Sequence, residues 1–160
     1  MGLESESVGI SGNIDNMMNL EMLMWASKNS DNPKFAEIAK SHADVTMKHH
    51  FRPDYSSYHV ISYDTISGQP ESKNTCQGYA HESCWARGQG WALYGYTMMY
   101  RETGQEKYLQ HATNVARFYY ESSSFCLKIK FHIGILMLLV FPMNFVMLLR
   151  SINGLGFHRT

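Results

Sequence analysis

The sequence WARGQGWALYGYTMMYRETGQEKYLQHATNVARFYY, residues 85–120, predicts two consecutive helices separated by a tight turn. Large apolar side chains recur at three- and four-residue spacings from Trp91 to Met99, the pattern of a helix with one face turned to a core. Gly104 stands where this pattern stops, and glycine is a natural C-cap because it adopts left-handed backbone angles without strain. A second helix is predicted over about 106–120. This stretch therefore predicts a helical hairpin.

A second unit of the same kind is predicted nearer the N-terminus. Asp15 opens a helical pattern that extends to Trp25, and the segment 29–33, Asn-Ser-Asp-Asn-Pro, interrupts it. The next helix is predicted over about 34–49, with Asn32 as its N-cap and a proline in its first turn, where proline is well tolerated. One face of this helix is expected to be buried and carries Phe35, Ile38, Ala39, His42 and Val45.

The two units share a faint internal repeat. Lys-Phe-Ala-Glu-Ile-Ala at 34–39 and Lys-Tyr-Leu-Gln-His-Ala at 107–112 each follow a turn after a helix rich in Met and aromatic residues. Such a repeat favours an array of helical hairpins, with generic amphipathic helices as the alternative. Between the units, the β-prone segment 58–63 and the turn-like segment 64–68 predict a short β-hairpin, followed by a loop over 69–83. The predicted fold class is mainly α.

Bulk composition excludes few functions. The 14 Lys and Arg residues balance the 14 Asp and Glu residues, so no net field attracts nucleic acid or an anionic membrane. The three cysteines are odd in number and form no Cys-x-x-Cys pair, which argues against a disulfide framework and a zinc site. Residues 1–11 are polar and lack the apolar core of a signal peptide, which predicts a cytoplasmic location.

The composition changes abruptly near residue 125. The segment 131–149 is apolar except for His132 and Asn144, and its length would just span a bilayer. Three interpretations stay open: a membrane helix, a buried segment, or sequence that does not belong to the domain. The chain is therefore divided into a domain over 1–121 and a divergent hydrophobic tail over 122–160.

The densest cluster of chemically useful residues is Gln77 together with Trp85-Ala-Arg-Gly-Gln-Gly-Trp91. The two tryptophans offer flat faces on which a sugar ring can lie, and Arg87 offers a planar fork that suits a carboxylate or sulfate. Gln77 and Gln89 are neutral groups suited to hydroxyls. These residues predict a site for an anionic sugar. The structural alternative is that both tryptophans are core anchors and Arg87 is a surface charge.

Three further residues have a structural and a functional interpretation. Asp15 precedes an apolar helix, where Asp is a routine N-cap, and it is also a candidate general acid. His59 stands alone in a β-prone stretch and is by default a structural histidine. Gly88 lies at a predicted helix start, where a missing side chain and free N–H groups let an anionic ligand approach.

Five separate motifs occur in order over about 12–120. They are Ile14-Asp-Asn-Met-Met-Asn-Leu20, Arg52-Pro-Asp54, Tyr58-His-Val-Ile-Ser-Tyr-Asp64, Thr75-Cys-Gln-Gly-Tyr79 and Trp85-Ala-Arg-Gly-Gln-Gly-Trp91. This series resembles the unsaturated glucuronyl hydrolases, glycoside hydrolase family 88, and several motifs at consistent spacing are more specific than any single one. The related unsaturated rhamnogalacturonyl hydrolases are the second alternative, although they typically carry Asn where Gln89 stands.

The resemblance implies an (α/α)6 toroid of six helical hairpins with the active site at one mouth. Asp15 matches the family's catalytic aspartate, which protonates C4 of the substrate's C4=C5 double bond and activates the water that adds at C5. The partner implied is an unsaturated uronic-acid oligosaccharide, with no nucleic acid, metal or organic cofactor. The positions that match the family's substrate site are His59, Gln77, Trp85, Arg87 and Trp91.

The sequence also departs from the family pattern. The family has a second important aspartate well upstream of the motif at Asp15, and it continues after the position of Glu121 with Trp-Asp-Phe and Arg-Asp-Ser-Ser-Ala segments absent here. About two of the six hairpins are therefore expected, from a truncated gene or a reading-frame change near Ser122. From a different class, the alternative is an inactive helical module tethered to a membrane by 131–149.

Overall fold

The computed structural model describes residues 9–121, which form two helical hairpins and one small sheet. The elements in chain order are β1 (Ile10–Asn13), α1 (Asn16–Asn29), α2 (Pro33–His49), β2 (Val60–Tyr63), β3 (Pro70–Asn74), α3 (Ala86–Thr103) and α4 (Glu106–Glu121). α1 and α2 make the first hairpin and α3 and α4 the second, so the predicted mainly α fold is confirmed. The tail over 122–160 lies outside the described residues.

The helix ends follow the local sequence signals. The Asn32 side chain accepts a hydrogen bond from the backbone N–H of Lys34 at 3.1 Å, and Pro33 occupies the first helical position of α2. Gly104 ends α3 with φ of 66°, and its N–H donates to the Tyr100 carbonyl at 2.8 Å. Both predicted caps are confirmed, because these residues satisfy backbone groups that the end of a helix leaves unpaired.

The core lies where α1 packs against α3 between the two hairpins. Gly95 on α3 makes a close approach possible, since a Cβ atom there would lie 2.7 Å from Met17 Cβ and 2.9 Å from the Met17 carbonyl oxygen. The backbone oxygen cannot move aside as the end of a flexible side chain would. The fully buried side chains of this core include Ile14, Met17, Tyr96, Met98, Met99, Tyr108 and Val115.

Replacing Gly95 by Ala is therefore expected to destabilise the protein by about 1–3 kcal/mol, the usual cost of overpacking a core. Urea unfolding followed by circular dichroism measures the change. Gly12→Ala is the matched control, because its nearest neighbour would be Tyr63 Cε2 at an ordinary contact distance of 3.8 Å. Equal urea midpoints for the two variants would contradict the close packing of α1 on α3.

The buried face of α2 differs from the prediction. Ile38 and Val45 are 56% and 45% exposed among the described residues, whereas Ala39, Ala43 and Thr46 are buried. Small side chains on this face leave room for a large neighbour, since the Tyr96 hydroxyl of α3 donates to the Ala43 carbonyl at 3.0 Å. The prediction is therefore confirmed for Ala39 and wrong for Ile38 and Val45.

The sheet is antiparallel in the order β1-β2-β3. The predicted hairpin is present as β2 and β3, joined at a turn in which Gly68 has φ of 66° and its N–H donates to the Asp64 carbonyl at 2.8 Å. Residues 70–74 of the predicted loop over 69–83 form strand β3, so the loop prediction is wrong there. The sequence analysis did not predict strand β1. Both strands are short and polar, so they are held by main-chain pairing with β2 rather than by an apolar pattern.

Candidate active site

The sheet brings together three segments that are distant in sequence. The Ile14 N–H donates to the His59 carbonyl at 2.9 Å, and the His59 N–H donates to the Asn74 carbonyl at 3.0 Å. These bonds continue the β1–β2 and β2–β3 pairing beyond the named strands. Because neighbouring strands run antiparallel, the end of β1, the start of β2 and the end of β3 lie side by side at one edge of the sheet, the edge formed by the strand ends. Asp15 and Gln77 follow the two flanking strands there.

Asp15 faces His59 across this edge. The Asp15 Oδ2 atom lies 3.3 Å from His59 Nε2, and the side chains are 28% and 3% exposed respectively. Oδ2 is itself enclosed and has no well-aligned hydrogen bond among the described residues. Long or poorly aligned contacts of this kind are common in catalytic groups without substrate. The exposed part of the carboxyl group therefore lies away from Oδ2.

Asp15 does not cap α1 with its side chain. Its backbone is already helical, with φ of −61° and ψ of −26°, and its carboxylate makes no capping hydrogen bond. Asn13 performs this role instead, because its side-chain oxygen accepts a hydrogen bond from the Asn16 N–H at 3.2 Å. The N-cap interpretation of Asp15 is therefore wrong, and the carboxylate remains available for chemistry.

The surroundings of His59 fix its tautomer. The backbone N–H of Gln77 donates to His59 Nδ1 at 3.2 Å, so this nitrogen carries no proton. In a neutral imidazole the proton then resides on Nε2, the nitrogen that faces Asp15. His59 thus presents an N–H group to the carboxylate, and it is more than the isolated structural histidine that the sequence suggested by default.

Trp85 joins this pair to the remaining polar residues. Its ring centre lies 4.4 Å from the His59 ring centre, and the Arg87 guanidinium carbon lies 4.5 Å from the Trp85 ring centre. Arg87 in turn donates to the side-chain oxygen of Gln77 at 2.6 Å. Five of the six predicted site residues therefore form one continuous set of contacts. Arg87 and Gln77 are exposed and retain donors for an anionic ligand.

Trp91 is placed differently from the other five. It lies four residues after Arg87, on the same side of α3, and its ring meets Tyr94 edge-to-face at 6.3 Å. Within residues 9–121, no hydrogen bond or ring contact joins Trp91 to the connected set. Its role as a sugar platform stays a prediction, supported by its half-buried position beside Arg87.

Two other expectations for the Trp85–Trp91 motif are wrong. Gln89 is fully buried, so it cannot offer its amide to a sugar hydroxyl. A Cβ atom on Gly88 would lie 2.8 Å from Ile14 Cγ2 and 2.9 Å from Trp85 Cε3. Gly88 therefore makes room for protein groups rather than for a ligand. It lets the start of α3 approach the backbone that carries Asp15.

No cluster of three or more His, Cys, Asp or Glu side chains suited to a metal ion occurs within residues 9–121. Over the same residues no helix is both long and apolar enough to cross a membrane, and the segment 131–149 lies outside them. Cys76 and Cys84 are free thiols.

The similar proteins are named unsaturated glucuronyl hydrolases or unsaturated chondroitin disaccharide hydrolases. No model of a protein family matches the sequence. An unsaturated glucuronyl hydrolase of Formosa agariphila is 56% identical over 108 residues, which cover 68% of this chain and 27% of the relative. A solved unsaturated glucuronyl hydrolase specific for heparin is 51% identical, with a TM-score of 0.72 over 74% of this chain and 32% of its own.

A second similar structure contains a ligand. It is a variant unsaturated glucuronyl hydrolase from Streptococcus agalactiae complexed with dGlcA-GalNAc6S, which is 30% identical with a TM-score of 0.52 and covers 64% of this chain and 28% of its own. The chain thus spans about a quarter to a third of the length of the proteins that it matches.

Proposed function

Since this chain belongs to the unsaturated glucuronyl hydrolase family, we propose that the complete enzyme containing it removes unsaturated uronic acid from oligosaccharides by hydrating the C4=C5 double bond. The observation that carries the proposal is the contact of Asp15 with His59, which in turn is connected through Trp85 to Arg87. A carboxyl group that does not cap its helix is thus joined, through the His59 and Trp85 rings, to a cation suited to a uronic-acid carboxylate.

Asp15 supplies the proton chemistry in this proposal. Its protonated carboxyl group donates to C4 while a water molecule adds to C5, and the resulting carboxylate takes the proton that the water loses. The hemiketal formed at C5 opens, and the glycosidic bond then breaks. Because Oδ2 is enclosed against His59, Oδ1 is the oxygen that exchanges protons with substrate and water.

Arg87 and Gln77 bind the acidic end of the substrate in this arrangement. Their mutual hydrogen bond fixes the guanidinium plane, and the Trp85 ring supports its face. A planar guanidinium can then donate two parallel hydrogen bonds to the uronic-acid carboxylate. Trp85 and Trp91 provide apolar surface for the sugar rings.

Unsaturated glycosaminoglycan disaccharides are the substrate class that the comparisons favour. One relative is described as specific for heparin, and another is complexed with dGlcA-GalNAc6S. Heparin-derived unsaturated disaccharides are the first to test, since the relative described as specific for heparin is 51% identical to this chain.

The test follows ultraviolet absorbance of the C=C–carboxylate group with the complete enzyme. Hydration consumes this group, so absorbance is expected to fall as the disaccharide is cleaved. The matched control is the saturated disaccharide of the same linkage, which contains no double bond and is expected to remain intact. Cleavage of the saturated sugar at a comparable rate would overturn the proposal, because it would indicate attack at the anomeric carbon.

Replacing Arg87 by Lys is expected to raise the KM of the complete enzyme for an unsaturated disaccharide by about 10–100-fold, because a charged hydrogen bond contributes about 1.5–3 kcal/mol. Lysine keeps the charge but lacks the planar fork. The matched control is Lys34→Ala, which removes an exposed cation of α2. Steady-state kinetics measure both variants, and an unchanged KM for Arg87→Lys would exclude carboxylate binding by Arg87.

A further inference from the structure

The side chain of Gln89 holds two loop segments from behind the active site. Gln89 lies in the first turn of α3 and is fully buried. Its Oε1 atom accepts from the backbone N–H of Ser57 at 2.9 Å and from the Cys84 thiol at 3.3 Å, while its Nε2 atom donates to the Tyr55 carbonyl at 2.7 Å. Both ends of the amide are therefore used by the protein.

These partners stand immediately before site residues in the chain. Ser57 precedes His59 by two positions, and Cys84 directly precedes Trp85. The rings of His59 and Trp85 lie against each other with centres 4.4 Å apart. A movement of either segment would therefore shift His59 relative to Asp15. The Gln89 amide itself is hydrogen-bonded to neither of these two residues.

The loop that Gln89 holds is also strained. Tyr55 has φ of 66°, a left-handed conformation that costs a residue with a side chain about 1–2 kcal/mol. Such conformations persist where surrounding contacts determine them. The hydrogen bond to the Tyr55 carbonyl is one such contact, and the bond to the Ser57 N–H is a second, two residues along the same loop.

We propose that Gln89 is a positioning residue of the active site, which maintains the strained 55–57 loop and thereby places His59 against Asp15 without touching the substrate. The proposal deepens the function proposed above and rests on it. It requires a side chain that both donates and accepts at this length: Met has neither group, and Asn is shorter by one methylene.

The test is made on the chain itself by nuclear magnetic resonance, with Gln89→Met and the milder Gln89→Asn. The control is Thr97→Val, which changes a buried residue of α3 whose hydroxyl, within the described residues 9–121, bonds only to the Leu93 carbonyl of the same helix. Two local signals are measured: hydrogen exchange of the Ser57 amide, and the ¹⁵N shifts of the His59 ring, which report the proton on Nε2.

Both Gln89 variants are expected to accelerate Ser57 exchange, by about 10-fold or more for Met, and to alter the His59 ring shifts. In the same variants the exchange of α4 amides should stay as in the parent. The Thr97→Val variant should show parent-like Ser57 exchange and parent-like His59 shifts. Parent-like Ser57 exchange and His59 shifts in a folded Gln89 variant would overturn the proposal, as would the same changes in Thr97→Val. If Gln89→Met does not fold, Gln89→Asn decides by the same two signals.

An activity measurement separates this proposal from the function on which it rests. In the complete enzyme, Gln89→Asn is expected to lower kcat about 10-fold while KM changes less than about threefold, because the proton chemistry rather than substrate binding loses its alignment. A change confined to KM would contradict positioning. Absence of activity in the parent enzyme would overturn the proposed function, whereas the two resonance signals would still test the role of Gln89 in the loop.

Discussion

Replacing Asp15 by Asn in the complete enzyme is expected to reduce turnover of an unsaturated disaccharide by about 10⁴-fold. General acid–base catalysis typically contributes about 10²–10⁴-fold, and we expect the upper end because, in the proposed mechanism, the same carboxyl group serves both C4 and the attacking water. Asn keeps the shape of the side chain beside His59, but its amide can act neither as a general acid nor as a general base. The rate is measured by loss of the ultraviolet absorbance of the substrate.

Stability should change little in the same variant. A side chain that caps a helix contributes about 1 kcal/mol, but the carboxylate of Asp15 makes no such bond, since Asn13 occupies that role. Asp15→Ala is therefore also expected to melt close to the parent, whereas Asn13→Ala should melt lower. An Asp15→Asn enzyme with near-normal turnover would end the catalytic assignment, and a low-melting Asp15→Ala variant would restore the capping role.

The helical part of the fold was predictable because its signals are local. The Asn32-Pro33 start and the Gly104 stop each act through backbone groups within one turn, so residues next to each other in sequence determine them. The break near residues 29–33 and the second hairpin follow from the same kind of signal. The mainly α fold class could therefore be predicted from local sequence signals, without knowledge of the tertiary contacts.

The sheet was only partly predictable because its pairing is not local. β1 and β3 have few apolar side chains, and each is a strand only because β2 lies beside it. The main-chain pairing in this sheet brings Asp15, His59 and Gln77 close together. The sequence could propose those three residues from a family resemblance, but their adjacency depends on main-chain bonds that no residue pattern records.

The Trp85–Trp91 motif shows the same limit within a single helix turn. Arg87 is exposed while Gln89, two residues later, is completely buried. Residues two positions apart point to nearly opposite sides of a helix. The motif therefore contains an exposed residue, for which we propose ligand binding, and a buried residue that is hydrogen-bonded to the 55–57 loop. Composition alone assigned both to the ligand.

Two buried histidines outside the active site make stability dependent on pH. His50 is 2% exposed, and its Nδ1 lies 3.3 Å from the Tyr58 carbonyl oxygen. His111 is 7% exposed and lies among aromatic rings, with ring centres 4.3 Å from Phe51 and 4.4 Å from Tyr96. Burial disfavours the charged imidazolium and lowers the pKa of each histidine from 6.5 to about 4.

The chain is therefore expected to lose stability steeply as the pH falls from about 6.5 to about 4. In this window the unfolded chain binds protons at His50 and His111 that the folded chain does not, so the free energy of unfolding decreases with falling pH. Each histidine contributes about 3 kcal/mol across the full window. Together they amount to a large part of the 5–15 kcal/mol typical of a whole protein, so the chain is expected to be markedly less stable near pH 4 than at neutral pH.

The His111→Phe variant tests this directly, because phenylalanine keeps a ring against Phe51 and Tyr96 but binds no proton. Urea midpoints measured between about pH 7.5 and 4.5 should depend on pH clearly less steeply than in the parent. His81→Gln is the control, since His81 is exposed and its loss should leave the slope unchanged. A parent-like slope in His111→Phe would show that this histidine already binds its proton in the folded state, and that its burial among the rings does not control the acid sensitivity.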